Sequence, residues 1–183
     1  MGLIFVGLCL LVWILFFSEK KIKGVEMSTL TVTSSSFSNG HVLPKDCSCE
    51  GRDVSPHIGW SNVPKGTQSF TIICDDPDAP HAGGWVHWVI YDIPVTLSEL
   101  AGGIANQQDL DNGARQGINS WGKIGYGGAC PPRGDKPHSY IFTVYALDSM
   151  LNLRTGSNKT DVLTAQRGHV LAQGQIVGLY SRS

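Results

Sequence analysis

A chain of 183 residues is long enough for one domain with a substantial core and too short for two ordinary ones. Its 42% hydrophobic and 16% charged residues exclude a disordered chain, and a formal net charge of −1 with no basic run excludes a nucleic-acid footprint. The 22 glycines and 9 prolines imply many turns and favour short strands over long helices.

The chain opens on an uninterrupted apolar segment, Gly2 to Phe17, followed by Ser18, Glu19, Lys20, Lys21 and Lys23. As a helix it spans about 24 Å, slightly short of the roughly 30 Å hydrocarbon core of a bilayer. No basic residue precedes it and no small-residue cleavage site follows, so a membrane anchor is preferred over a cleaved signal peptide. The lysines on its far side then place the globular domain in the cytoplasm. Two alternatives stay open: a secreted or periplasmic domain if the segment is a signal, and a soluble cytoplasmic one if Met27 is the true start. Residues 1–28 are read as this segment and its link, and 29–183 as the folded domain.

Along that domain, Leu30 to Ser34 alternates and is β-branched, which predicts a first strand. Ser35 to Pro44 is turn-rich, and Gly51 to Trp60 is a loop ending in a short strand. Ser69 to Cys74 is a near-continuous apolar run, the pattern of a buried central strand. Asp75 to Gly84 is broken by two prolines and two glycines. Trp85 to Pro94 and Ser139 to Leu147 are strong strands, with Trp85, His87 and Val89 expected on one face. A single helical turn is expected within Thr96 to Gly103, and Gly113 to Pro137 is mostly loop. Thr160 to Tyr180 approximates helical spacing and predicts one C-terminal helix docked on the sheet. The whole reads as a mainly β protein, an antiparallel sandwich with a terminal helix.

Cys9 lies within the apolar segment, leaving Cys47, Cys49, Cys74 and Cys130. Cys47 and Cys49 have no second pair at zinc spacing, so a structural zinc site is not expected. Free thiols are the default; a disulfide from Cys47 or Cys49 to a distant cysteine stays open in an oxidising compartment alone.

Polar residues gather at three strand edges. Asp75, Asp76 and Asp78 crowd a proline-stiffened loop; a solvated acidic turn accounts for that segment taken alone. His87 sits among apolar neighbours, and taken alone is most simply a hydrogen-bonded core histidine. Gly127 to Pro132, followed by His138 and Tyr140, joins a rigid glycine-proline loop to an imidazole and a phenol. The glycines would leave N–H groups free as an anion nest, and the two side chains share a face. Together these supply donors at little entropy cost, which is what a small anion needs.

In this order the motifs resemble the phosphatidylethanolamine-binding protein family, in its bacterial Raf-kinase-inhibitor-like branch. They are Asp76-Pro77-Asp78-Ala79-Pro80, Gly84-Trp85-Val86-His87-Trp88 and Gly117 to Gly122. They continue through Gly125 to Pro132, His138 to Phe142, Tyr145 to Asp148 and His169 to Ala172. The resemblance spans nearly everything after Thr29. It implies a β-sandwich with a large central sheet and a pocket formed by Asp76, Asp78, His87, His138, Tyr140 and the Cys130-Pro131 edge. Members bind phosphate, phosphorylethanolamine or related anions there without a metal, and no cofactor is implied. Kinase inhibition by animal members and flowering control by plant members do not transfer with the pocket. Ala129 departs from the family, where proline is frequent, and the N-terminal apolar segment is an addition to it.

The expected function is therefore non-enzymatic binding of a phosphate or phosphorylated headgroup. His87, His138 and Tyr140 would donate to the phosphate, and Asp76 or Asp78 would meet an attached ammonium. Charge-assisted hydrogen bonds worth about 1.5–3 kcal/mol each, less the costs of association, imply moderate affinity. One rival is a hydrolase with Cys130 as nucleophile and His87 or His138 as base, although nothing nearby in sequence activates the thiol. Another is a protein-interaction module that inhibits a kinase or protease. Oligomeric state stays open, a homodimer included.

Overall fold

The computed structural model describes residues 28–182. The apolar segment Gly2 to Phe17, with its anchoring role, lies outside them; among the described residues no helix is long and apolar enough to cross a membrane. The strands are β1 (Ser28–Thr29), β2 (Thr31–Thr33), β3 (His41–Val42), β4 (Ile58–Ser61), β5 (Ser69–Asp76) and β6 (Trp85–Pro94). They continue with β7 (Glu99–Leu100), β8 (Arg115–Gln116), β9 (His138–Leu147), helix α1 (Lys159–Ala165) and β10 (Val170–Tyr180).

The large sheet has the order β1-β10-β9-β5-β6-β8, with β3 also paired to β10; β2, β4 and β7 form a small second sheet. Its central pairs are antiparallel, while β1 and β3 join β10 in parallel. The main core lies against one face of the large sheet and contains Trp60, Phe70, Ile72, Trp88, Ile90 and Phe142. Burying such a side chain stabilises by about 1.5–3 kcal/mol. A smaller cluster, Ile73, Val89, Tyr91 and Val162, covers the opposite face under α1. Strands β5 and β6 are thus buried on both sides, which is why they read as continuous apolar runs rather than alternating ones.

Three expectations change. The C-terminal helix exists but ends at Ala165, and the rest of the segment is β10. Asn158 caps α1 and Asp161, in the first turn, bonds back in a capping box. In β10 the buried positions are Ala172, Gly174, Ile176, Gly178 and Tyr180, a period of two that glycines disguised as broken helical spacing. Those glycines permit close approach: a Cβ at Gly174 would stand 2.2 Å from the Leu30 carbonyl oxygen. Within Thr96 to Gly103 the chain forms β7 instead of a helical turn, because Gly59 and Ile58 of β4 pair with Glu99 and Leu100.

The third concerns β6. Asp75 pairs with Val86 but Cys74 with Trp88, so His87 is an extra residue in a β-bulge. Val86 accordingly packs with the cluster of Val89 and Tyr91. His87 instead faces Tyr140, a main-core residue, with ring centroids 4.9 Å apart. His87 and Val89 therefore do not share a face.

Candidate functional site

Asp76 ends β5, Trp85 begins β6 directly opposite it, and His138 begins β9 on the other flank of β5. Antiparallel neighbours bring their chain ends to one edge, so segments more than 50 residues apart in sequence converge there. They enclose a cleft of about 280 Å³ lined by Asp76, Ala79, Pro80, His81, Trp85, His87, Trp121, Cys130, Pro131, Pro132 and His138.

Asp76 organises the acidic loop. Its Oδ1 accepts the backbone N–H groups of Asp78 (2.9 Å) and Ala79 (3.1 Å), and its Oδ2 lies 2.8 Å from His138 Nδ1. Both partners of the Asp76–His138 pair are 3% exposed at the side chain, so this contact is desolvated and costly to break. His138 Nε2 also stands 3.6 Å from the half-exposed Asp135 carboxylate.

His87 is 2% exposed. Its Nδ1 lies 2.8 Å from the Gly127 carbonyl, which can only accept, so Nδ1 carries the proton and Nε2 is the ring's acceptor. Burial holds the His87 pKa below the ordinary histidine value, partly offset by the Gly127 carbonyl and the Asp76 charge. At neutral pH the ring is therefore uncharged, with Nε2 as an acceptor.

Among the described residues the buried Trp85 indole N–H, on the cleft lining, has no hydrogen-bond partner; the Tyr140 hydroxyl, behind His87, makes no direct hydrogen bond but lies close to the Asp76 carboxylate and the Cys130 backbone. Burial, with the Asp76 charge, also pushes the Tyr140 phenol well above its usual range, so it remains a donor. Leaving such groups unpaired in a dry site costs about 1–3 kcal/mol each.

Of the residues expected from sequence, Asp76, His87, Cys130, Pro131 and His138 line the cleft. Asp78 and Tyr140 do not. The Asp78 carboxylate accepts the Ser139 N–H at 2.9 Å and pairs with Lys136 at 3.3 Å, which pins the start of β9 and holds its own pKa low. Tyr140 is fully buried behind His87. The expected glycine nest is absent too, since Gly127 N–H donates to His87 O and Gly128 N–H to Asp53 Oδ1.

The cysteines also differ from expectation. Cys49 and Cys130 are joined in a disulfide, with Cα atoms 5.4 Å apart, while Cys47 and Cys74 are free and buried. Cys130 therefore offers no thiol as a nucleophile in this state. Burial pushes the Cys47 thiol up to about 11 and the Cys74 thiol well up, so neither is a ready thiolate.

Sequence reasoning passed over the aromatic walls. Trp121 packs edge-on to both Trp85 (5.3 Å) and His87 (5.0 Å), and His81 packs at a tilt against Trp85, with ring centroids 4.5 Å apart. The signal was a large aromatic in a glycine-rich loop: a Cβ on Gly127 would meet the Trp121 ring at 2.5 Å, so that glycine exists to seat the indole. Among the described residues no group of three or more His, Cys, Asp or Glu is arranged to hold a metal ion.

The chain that builds this cleft from an Asp-Pro loop, a strand histidine and a Cys-Pro-Pro rim is matched over residues 33–181 by a family model described as phosphatidylethanolamine-binding protein. The chain belongs to that family. Among its relatives, a UPF0098 protein of Aquifex aeolicus is 49% identical over 154 residues, 84% of this chain and 89% of its own. The crystal structure of Escherichia coli YbcL, described as a member of the mammalian PEBP family, superposes with a TM-score of 0.79. It is 38% identical, over 85% of this chain and 100% of that one. A putative phosphatidylethanolamine-binding protein homologue from Chlamydia trachomatis gives 0.77 at 37% identity, over 85% and 99% of the two chains.

Proposed function

We propose that the protein is a non-enzymatic binding protein for a small phosphate-bearing anion, held in the cleft beside His87. The observation that carries this reading is the buried Trp85 indole N–H, without a hydrogen-bond partner among the described residues, on a cleft lining that it shares with the neutral imidazole of His87. A phosphate monoester supplies an acceptor for that donor. Because His87 is neutral, the complex must contain one added proton: either His87 takes it and donates from Nε2, or the ester keeps it and donates to Nε2. Both arrangements have the same net charge and the same pH dependence.

An ammonium group attached to the phosphate would meet Asp76, the carboxylate on the lining, and the indole faces of Trp85 and Trp121. Phosphorylethanolamine combines these features. The location that accords with the Cys49–Cys130 disulfide is an oxidising compartment, the secreted or periplasmic alternative rather than the cytoplasm.

Isothermal titration of phosphorylethanolamine into the wild type and into His87→Ala tests this reading. Loss of one charge-assisted bond of about 1.5–3 kcal/mol corresponds to a loss of affinity of roughly 10- to 150-fold. Equal affinity in the two proteins would refute it.

A further inference from the structure

The disulfide on the rim has two chemically unequal sulfurs. Cys49 is exposed, while Cys130 is half-buried in the cleft wall. Arg182 Nη1 donates to Cys130 Sγ at 3.2 Å and to the Pro131 carbonyl at 3.3 Å. The neighbouring carboxylate, Glu50, is engaged by Tyr180 O–H at 3.1 Å and by Arg133 at 3.2 Å, and lies 3.7 Å from Arg182 Nε. The Cys49 side is tied down independently: its N–H donates to Ala129 O, and Ala129 N–H donates to Cys47 O. A guanidinium beside one sulfur stabilises that sulfur as a departing thiolate, and exposure of the other selects where a reductant attacks.

From this geometry we infer that Cys49–Cys130 is an exchangeable disulfide, attacked by dithiol reductants at Cys49 and releasing Cys130 as a thiolate paired with Arg182. The reductant's thiolate forms a bond to Cys49 Sγ, the Cys49–Cys130 bond breaks, and its electron pair goes to Cys130 Sγ. The reductant's second thiol loses its proton to solvent and attacks its own sulfur in the mixed disulfide. Cys49 then leaves as a thiolate and takes a proton from water. The dithiol is oxidised to a disulfide and the protein is reduced to two cysteines. Because Cys130 lines the anion cleft, the released thiolate adds a negative charge to its wall. This consequence rests on the proposed anion binding, and reduction then weakens phosphate affinity.

The test uses the full chain in buffers of set reduced-to-oxidised dithiothreitol ratio, with alkylation and mass spectrometry reading the state of each cysteine. A glutathione pulse quenched in acid shows which sulfur is attacked, and inorganic phosphate titrations follow binding in both states. The adduct is expected on Cys49, with the circular dichroism of the folded protein retained on reduction. Arg182→Gln should raise the reductant ratio needed for half-reduction about fivefold, and Arg182→Lys should restore part of the difference. Adducts on Cys130, an unchanged midpoint in Arg182→Gln, or reduction only on unfolding would each overturn the assignment. Equal phosphate affinity in both states would overturn the coupling alone. No phosphate binding by the oxidised protein would instead sink the proposed function and leave the thiol readout to decide the exchange chemistry.

Discussion

The behaviour of the cleft turns on a few atoms. Tyr140 O–H is buried without a partner, so Tyr140→Phe removes an unsatisfied donor. The variant should melt at the same temperature as the wild type or higher, by calorimetry, and keep its affinity for phosphorylethanolamine, since Tyr140 lies behind His87 and off the cleft lining. A severalfold loss of affinity in Tyr140→Phe would contradict that placement. His87 sets the pH dependence. Its pKa lies below 6.5 in the free protein, and binding adds a proton, so affinity should rise as pH falls toward that pKa and weaken above it. Titrations in two buffers of different ionisation enthalpy should show that proton uptake. At this scale the sequence was partly legible. Asp76, His87 and His138 stood out by chemical type, whereas Asp78 looked like their equal and is consumed by Ser139 N–H and Lys136. Ala129 is explained only by coordinates, since its N–H donates to Cys47 O and a proline there could not.

Among the elements, β10 carries the sharpest prediction. Gly174→Ala places a methyl group against the Leu30 backbone and should destabilise by about 1–3 kcal/mol, read by chemical denaturation with an unchanged m-value. The same glycines made β10 hard to read. Their small side chains erased the apolar marks at alternate buried positions, so the remaining apolar residues mimicked a helix. The long strands β5, β6 and β9 were legible because their apolar runs are continuous. The bulge at His87 was not, since it depends on the register between β5 and β6 and no local pattern encodes it. The disulfide was hidden for a similar reason: Cys49 and Cys130 are 81 residues apart and meet only in the fold, beside the Ser48–Ala129 bridge.

The whole molecule should show a stability plateau bounded on both sides. His87 has a folded pKa below its unfolded value of 6.5, so its stabilising neutrality is fully present above that pH and is lost as pH falls. Asp78, also lowered, loses its contribution at still more acid pH, below its unfolded value of 3.8. Cys47 and Cys74 are raised above 9.0, so their contributions are complete below that pH and are lost as it rises. Thermal melts should therefore be flat between about pH 6.5 and 9 and fall on either side. His87→Asn should flatten the shoulder just below pH 6.5 without moving the alkaline one.

Convergence of three strand ends on one phosphate is most directly tested by a crystal structure grown with phosphorylethanolamine. The phosphate is predicted within hydrogen-bond reach of His87 Nε2, between Trp85 and the Pro131-Pro132 rim, with its ammonium toward Asp76 and the indoles. A cleft that stays empty at saturating ligand, or a phosphate bound at another surface, would contradict it.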